Sequence, residues 1–144
     1  MQALMEMTAG LDDAVAAYRD GDLATAAQLF ETLAEEGDVE AQAWTGALYA
    51  NGEGVPADLA QAFRWYLRAA EGGHVPAQTN VGAMLMMGNG TPPDPELGLH
   101  WLRTAAEAGD AMAQSNLATL YFKGQGTAQD EALAAHWYRQ AAGK

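Results

Sequence analysis

His100 and His136 stand 36 residues apart, and each is followed directly by a tryptophan, Trp101 or Trp137. Imidazoles at a fixed spacing could hold a metal ion. Zinc, however, needs each ligand within about 2.1 Å, whereas equivalent positions on neighbouring helices lie about 8–10 Å apart. Arg64, ahead of Trp65, fills the same register, so these three side chains read as surface positions and no metal site is expected. His74 falls in a turn with no partner visible in the sequence. Nucleophilic chemistry fares no better: Ser115 is the sole serine, cysteine is absent, and nothing pairs Ser115 with a histidine and a carboxylate. The acidic pairs Asp12/Asp13, Glu35/Glu36 and Asp130/Glu131 are adjacent, which on a helix sends the two carboxylates to different sides. The loop "GEGVP" lacks the lysine and the serine or threonine of a phosphate cradle, and no strand precedes it. The chain therefore reads as non-enzymatic, without a catalytic, cofactor or metal site.

The histidines recur because the whole sequence recurs. Gln42, Gln78 and Gln114 align at a stride of 36, as do Gly52, Gly88 and Gly124, then Gly54, Gly90 and Gly126. Asp58, Asp94 and Asp130 follow, then Trp65, Trp101 and Trp137, with the alanine pairs 69/70, 105/106 and 141/142 behind them. A shorter leading unit keeps only the second half of the pattern, from Asp22 through Ala26, Phe30 and Ala34 to Gly37. A motif repeated at a constant stride points to architecture, since a catalytic site is needed once.

Each unit reads as two helices. "EAQAWTGALYANG" is rich in alanine and leucine and ends on a glycine suited to the left-handed closing position. Asp58 then supplies an N-cap for "LAQAFRWYLRAAEGG", whose Leu59, Ala62, Phe63, Tyr66 and Ala69 recur at three-to-four spacing. Helices this short are marginal alone, so stacking must hold the pairs, with the tryptophans supplying buried area and the alanines permitting close approach. If Thr45, Gly46 and Tyr49 pack inward, positions 44, 47, 48 and 51 face away from the partner helix.

Composition narrows the partners. The formal net charge is −12, of which residues 1–40 carry −9, arguing against nucleic acid, which favours clustered Lys and Arg. The acidic end is a solubilising face or a surface for a basic partner. No apolar run approaches the roughly 20 residues of a membrane span, so no membrane insertion is expected. "MQALMEMTAG" has neither a basic n-region nor a long apolar stretch, which points to the cytoplasm; a periplasmic or secreted location follows if a signal lies upstream.

The stretch "AQAWTGALYANGEGVPADLAQAFRWYLRAAEGG" resembles a Sel-1-like repeat of the tetratricopeptide-like superfamily, through Ala41, Gln42, Gly46, Tyr49, Gly52, Gly54, Val55, Asp58, Ala62, Trp65, Tyr66, Ala69, Ala70 and Gly73. The resemblance implies an all-α fold, a right-handed α/α solenoid of helical hairpins, whose members mostly serve as adaptors in protein complexes. It divides a single repeat domain, residues 1–144, into a leading tetratricopeptide-like unit at 1–38 and repeats at 39–74, 75–110 and 111–144. Trp44 stands where Asn80 and Asn116 keep the family asparagine. Leu85 replaces the aromatic of Tyr49 and Tyr121, Leu102 that of Tyr66 and Tyr138, and Gly98 the alanine of Ala62 and Ala134.

By analogy with tetratricopeptide-like arrays, the first helix of each pair lines the concave surface, where a protein or peptide partner would lie. The candidate strip is Trp44, Ala47 and Asn51, then Asn80, Ala83 and Met87, then Asn116, Thr119 and Lys123. The asparagines could hold a peptide backbone, or brace neighbouring helices; Trp44 and Met87 could supply apolar contact. Trp137, Tyr138, Ala141 and Ala142 could form an apolar face for a homo-oligomer or a docking partner. Two alternatives stay open: a structural subunit that self-associates through that face, and a small enzyme or inhibitor-like binder with a small molecule in the groove.

Overall fold

The computed structural model describes residues 10–143, all of whose regular elements are α-helices. In chain order these are α1 (Leu11–Arg19), α2 (Leu23–Glu35), α3 (Val39–Asn51), α4 (Leu59–Glu71), α5 (Val75–Met87), α6 (Pro95–Glu107), α7 (Ala111–Lys123) and α8 (Glu131–Ala141). Each helix packs on those before and after it, building the solenoid of hairpins α1/α2, α3/α4, α5/α6 and α7/α8.

Local chemistry sets the helix ends. The carboxylates of Asp22, Asp58, Asp94 and Asp130 accept from the backbone N–H groups of Thr25, Gln61, Leu97 and Leu133, which starts each second helix. Asp38 and Asp110 do the same for Ala41 and Ala113 at the start of α3 and α7. The first helices end on Gly52, Gly88 and Gly124, all left-handed, with φ of 69°, 75° and 71°. Two residues on, Gly54 and Gly90 serve another purpose: a Cβ there would fall on the carbonyl oxygen of Leu23 or Leu59. The loop of one hairpin thus rests directly on the opening turn of the preceding second helix.

The cores straddle the hairpin borders. Phe30 and Ala34 of α2, Ala41 and Leu48 of α3 and Trp65 of α4 form one cluster. Ala69 and Ala70 of α4, with Ala77, Val81 and Leu85 of α5, form a second, against which Trp101 packs. Leu99, Leu102, Ala105 and Ala106 of α6, with Leu117, Leu120 and Tyr121 of α7, form a third, joined by Trp137. A tryptophan from the following second helix therefore closes every border; complete burial of a side chain this size contributes at most roughly 4–6 kcal/mol, a limit that Trp65 approaches at 7% exposed and the half-buried Trp101 and Trp137 do not.

A polar bond repeats at each border. The side-chain amides of Gln42, Gln78 and Gln114 donate from Nε2 to the carbonyl oxygens of Ala34, Ala70 and Ala106 at 3.1, 3.2 and 3.1 Å. Those carbonyls lie in the last turns of the preceding helices, where each also accepts from the N–H of Gly37, Gly73 or Gly109 in the closing turn. All three glutamines are buried.

Leu48 corrects one expectation. It is 1% exposed and sits in the first core, so position 48 is not open to solvent or to a groove, and its equivalents Met84 and Leu120 are buried too. Each first helix touches its own partner on one side and the preceding second helix on another, so its apolar surface extends beyond a single stripe.

Candidate binding groove

Two depressions open between successive first helices. One, of about 310 Å³, lies between α3 and α5 and is lined by Glu40, Ala43, Trp44, Ala47, Tyr66, His74 and Asn80. The other, of about 560 Å³, lies between α5 and α7 against α6; Ala83, Met86, Met87, Leu102, Asn116 and Thr119 contribute to it. The two share a register: Ala47, Tyr66 and Asn80 in the first correspond to Ala83, Leu102 and Asn116 in the second.

The size difference has a local cause. At the position that carries Tyr66 in the first depression, the second carries Leu102, a shorter side chain with no ring to project into the gap. Gly98 deepens the effect on the α6 side, since a Cβ there would lie 2.9 Å from the Met86 sulfur and 2.9 Å from the Gly82 carbonyl oxygen. Met86 consequently lies over α6. Pro95 at the start of α6 and the loop residues Gln125 and Gly126 complete the lining.

The smaller depression has aromatic walls and one carboxylate. Trp44 is stacked on Phe30, with ring centroids 4.6 Å apart and planes inclined by 8°, and meets Tyr18 edge-on at 5.3 Å. It is half-buried, bracing the leading hairpin as well as facing the groove. Tyr66 is half-buried also, and burial pushes its phenol above the ordinary tyrosine value. His74, which the sequence left without a partner, has two: its Nδ1 accepts from the Ala77 N–H at 3.1 Å, capping α5, and its Nε2 lies 3.3 Å from Glu40 Oε1. Accepting at Nδ1 requires the proton on Nε2 in the neutral ring. His74 occupies the register of the capping Asp38 and Asp110, a signal already present in the sequence.

The expected strip is thus divided between the two depressions. Trp44 and Asn80 line the smaller one, while Met87, Asn116 and Thr119 line the larger. Asn51 and Lys123 are exposed at the C-terminal ends of α3 and α7 and line neither. Sequence reasoning missed Leu102 and Tyr66 as groove residues because they belong to second helices and reach it between two first helices. The residues Trp137 and Tyr138, expected at an apolar face, differ from each other: Trp137 is half-buried against the third core, and Tyr138 is 43% exposed, its hydroxyl 3.1 Å from Thr119 Oγ1. Met112 and Phe122 of α7 are exposed as well.

Among the described residues, no helix is long and apolar enough to cross a membrane, and no group of three or more His, Cys, Asp or Glu side chains is placed to hold a metal ion. His100 and His136 are exposed and stand edge-on to Trp101 and Trp137, with ring centroids 5.7 and 5.0 Å apart.

Solved structures with the same architecture are found in three bacteria. A protective antigen of uropathogenic Escherichia coli strains that displays an SLR fold is 41% identical, with a TM-score of 0.82 over 84% of this chain and 26% of that one. A Sel1 repeat protein from Oxalobacter formigenes is 31% identical, with a TM-score of 0.86 over 93% of this chain and 55% of that one. The chain therefore spans about a quarter of the first relative and just over half of the second. Helicobacter pylori cysteine rich protein B, at 20% identity and a TM-score of 0.59 over 62% of this chain and 67% of that one, shares the fold. A comparison with curated proteins finds no match. The profile of the Sel1 repeat matches residues 39–74, 75–110 and 111–144, and with most of its length accounted for by these three units the chain belongs to the Sel1 repeat family.

Proposed function

We propose that this chain is a non-catalytic adaptor that holds an extended segment of a partner protein in the groove between its first helices. Sel1 repeat proteins are generally protein–protein interaction modules. The observation that carries the reading here is the shared register of the two depressions, which line up along α3, α5 and α7 with an asparagine at the same place in each. An amide can donate to one backbone carbonyl and accept from one backbone N–H, so two of them one repeat apart suit a repeating ligand such as an extended chain.

The test is selection of random decapeptides on the immobilised protein, followed by binding to an Asn80→Ala, Asn116→Ala double variant and to Ala83→Arg, which places a long side chain in the groove. Selected peptides should lose at least tenfold in affinity for both variants, with helix content and melting temperature unchanged. Peptides that bind all forms equally, or a selection that yields none, would sink the reading.

A second reading rests on the exposed Met112, Phe122 and Tyr138: self-association through the face of α7 and α8. Light scattering of wild type beside Phe122→Ser decides it, a mass that falls with the substitution being the supporting result.

A further inference from the structure

Resting on the groove reading above, we infer that the partner segment carries a large apolar residue and a basic residue three to four positions apart. The apolar residue seats in the Leu102 depression and the basic one against Trp44, Tyr66 and Glu40.

The larger depression holds no charged side chain, and its mouth and floor are Ala83, Met86, Met87, Leu102 and Leu120. Its polar groups, Asn116, Thr119 and Gln125, can bond the peptide backbone on either side of an anchor. Methionine thioethers adapt to differently shaped apolar groups and make favourable contacts with aromatic edges. At about 560 Å³, the space accommodates a phenylalanine, tryptophan or leucine side chain with room for the flanking main chain. This capacity is peculiar to one repeat, because Tyr66 and Tyr138 occupy the register of Leu102 in the others.

The smaller depression has the opposite chemistry. Trp44, stacked on Phe30 on one side, and Tyr66 line it with aromatic rings that can pack an aliphatic stem or a guanidinium, and Glu40, 59% exposed, stands at the rim with a single oxygen engaged by His74. The chain around it reinforces the preference, since residues 1–40 hold −9 of the formal −12 charge and would attract a cationic segment during encounter. Neighbouring first helices lie about 10 Å apart; the smaller depression extends from the shared register toward their N-terminal ends, at Glu40 and His74, and the larger toward their C-terminal ends, at Met87 and Gln125, so the centres are roughly 10–15 Å apart. An extended chain covers that in three to four residues.

The test uses the decapeptides selected above. The expected motif is a Phe, Trp or Leu with Arg or Lys three or four positions away. Leu102→Tyr, which installs the residue that the first and third repeats carry, should weaken an anchored peptide at least tenfold without lowering the melting temperature. Glu40→Lys should reverse the charge preference, so that replacing the peptide's Arg by Glu restores binding to that variant. Selected peptides that depend on Asn80 and Asn116 yet lack the motif, or keep full affinity for Leu102→Tyr, would overturn this inference and leave the groove reading standing. Loss of dependence on the asparagines themselves would remove both. Binding that follows the anchor alone, unmoved by Glu40→Lys, would overturn the basic half of the motif.

Discussion

The hydroxyl of Tyr49 donates to the carboxylate of Glu31 at 3.0 Å, joining the first helix of one hairpin to the second helix of the hairpin before it. One repeat on, the same two places hold Leu85, in the second core, and Leu67, which packs against that core. In the next they hold Tyr121 and Arg103, and the guanidinium donates to the phenol at 2.7 Å. Three chemistries thus serve one junction, each with both members matched. A pair is expected to survive exchange better than the loss of one member. Glu31→Arg should cost less than about 0.5 kcal/mol, and Tyr49→Phe about 0.5–1.5 kcal/mol, in urea unfolding. Glu31→Leu alone should be worse than Glu31→Leu combined with Tyr49→Leu; additivity of the two would refute the matching.

The buried glutamines should not be equivalent. Gln42→Ala and Gln114→Ala each remove one of the two donors to a carbonyl of the preceding helix, which keeps the N–H of Gly37 or Gly109, at about 0.5–1.5 kcal/mol. Gln78 has a cost that the others lack, because its own Oε1 is buried without a hydrogen-bond partner among the described residues. Removing it relieves that penalty, so Gln78→Ala should destabilise by roughly 1 kcal/mol less than the other two. Equal losses in chemical denaturation would contradict this.

Gly90→Ala combines a left-handed backbone, φ 77°, with a methyl group directed at the Leu59 carbonyl. The expected loss is about 2–4 kcal/mol. Gly109→Ala keeps a positive φ of 101° but meets nothing within 4 Å, so it reports the backbone cost alone. The gap between their melting temperatures measures the contact between hairpins.

Alkali should weaken the fold. Hydrogen bonding to Glu53 raises the phenol of Tyr18, while burial, with the bond to Glu31, raises that of Tyr49, and burial raises that of Tyr66. A phenol whose folded value lies above its unfolded value stabilises the fold fully below the unfolded value near pH 10 and ceases to do so as pH rises through the folded one. Melting temperatures should therefore hold up to about pH 10 and fall above it, with tyrosinate absorbance rising over the same interval. Tyr49→Phe should flatten part of that fall; an unchanged profile would exclude Tyr49 as a contributor.

Trp65→Ala should cost about 3–5 kcal/mol, since the indole is 7% exposed in the first core. Trp137→Ala should cost less, its ring being only half-buried. Near-infrared or dye-binding probes are unnecessary: denaturant midpoints suffice to rank them.

The solenoid was legible because its determinants are periodic: the tryptophans, the closing glycines and the capping aspartates can be aligned without knowing where the chain turns. The groove was legible in part. The burial of Leu48 was not legible, because a first helix is covered on more than one side and a single apolar stripe does not describe it. His74 reads as a turn residue without a partner because imidazole is an unusual N-cap, although its register with Asp38 and Asp110 carries the role. The glutamine bonds were hidden for another reason: the acceptor is a backbone carbonyl, which carries no residue identity. Leu102 was visible as a departure from the repeat, but only the packing reveals that the missing ring leaves a cavity.

The packing of each helix on its sequence neighbours gives the chain a mechanical character. Tension applied at the two ends loads the borders in series, so the weakest yields first and the rest hold until their own limit. Each released repeat would lengthen the tether by roughly 100 Å, given about 3.3–3.6 Å per extended residue. Pulled slowly, the protein would behave as an extensible strap that pays out in even steps, and its length under load would count the repeats still closed.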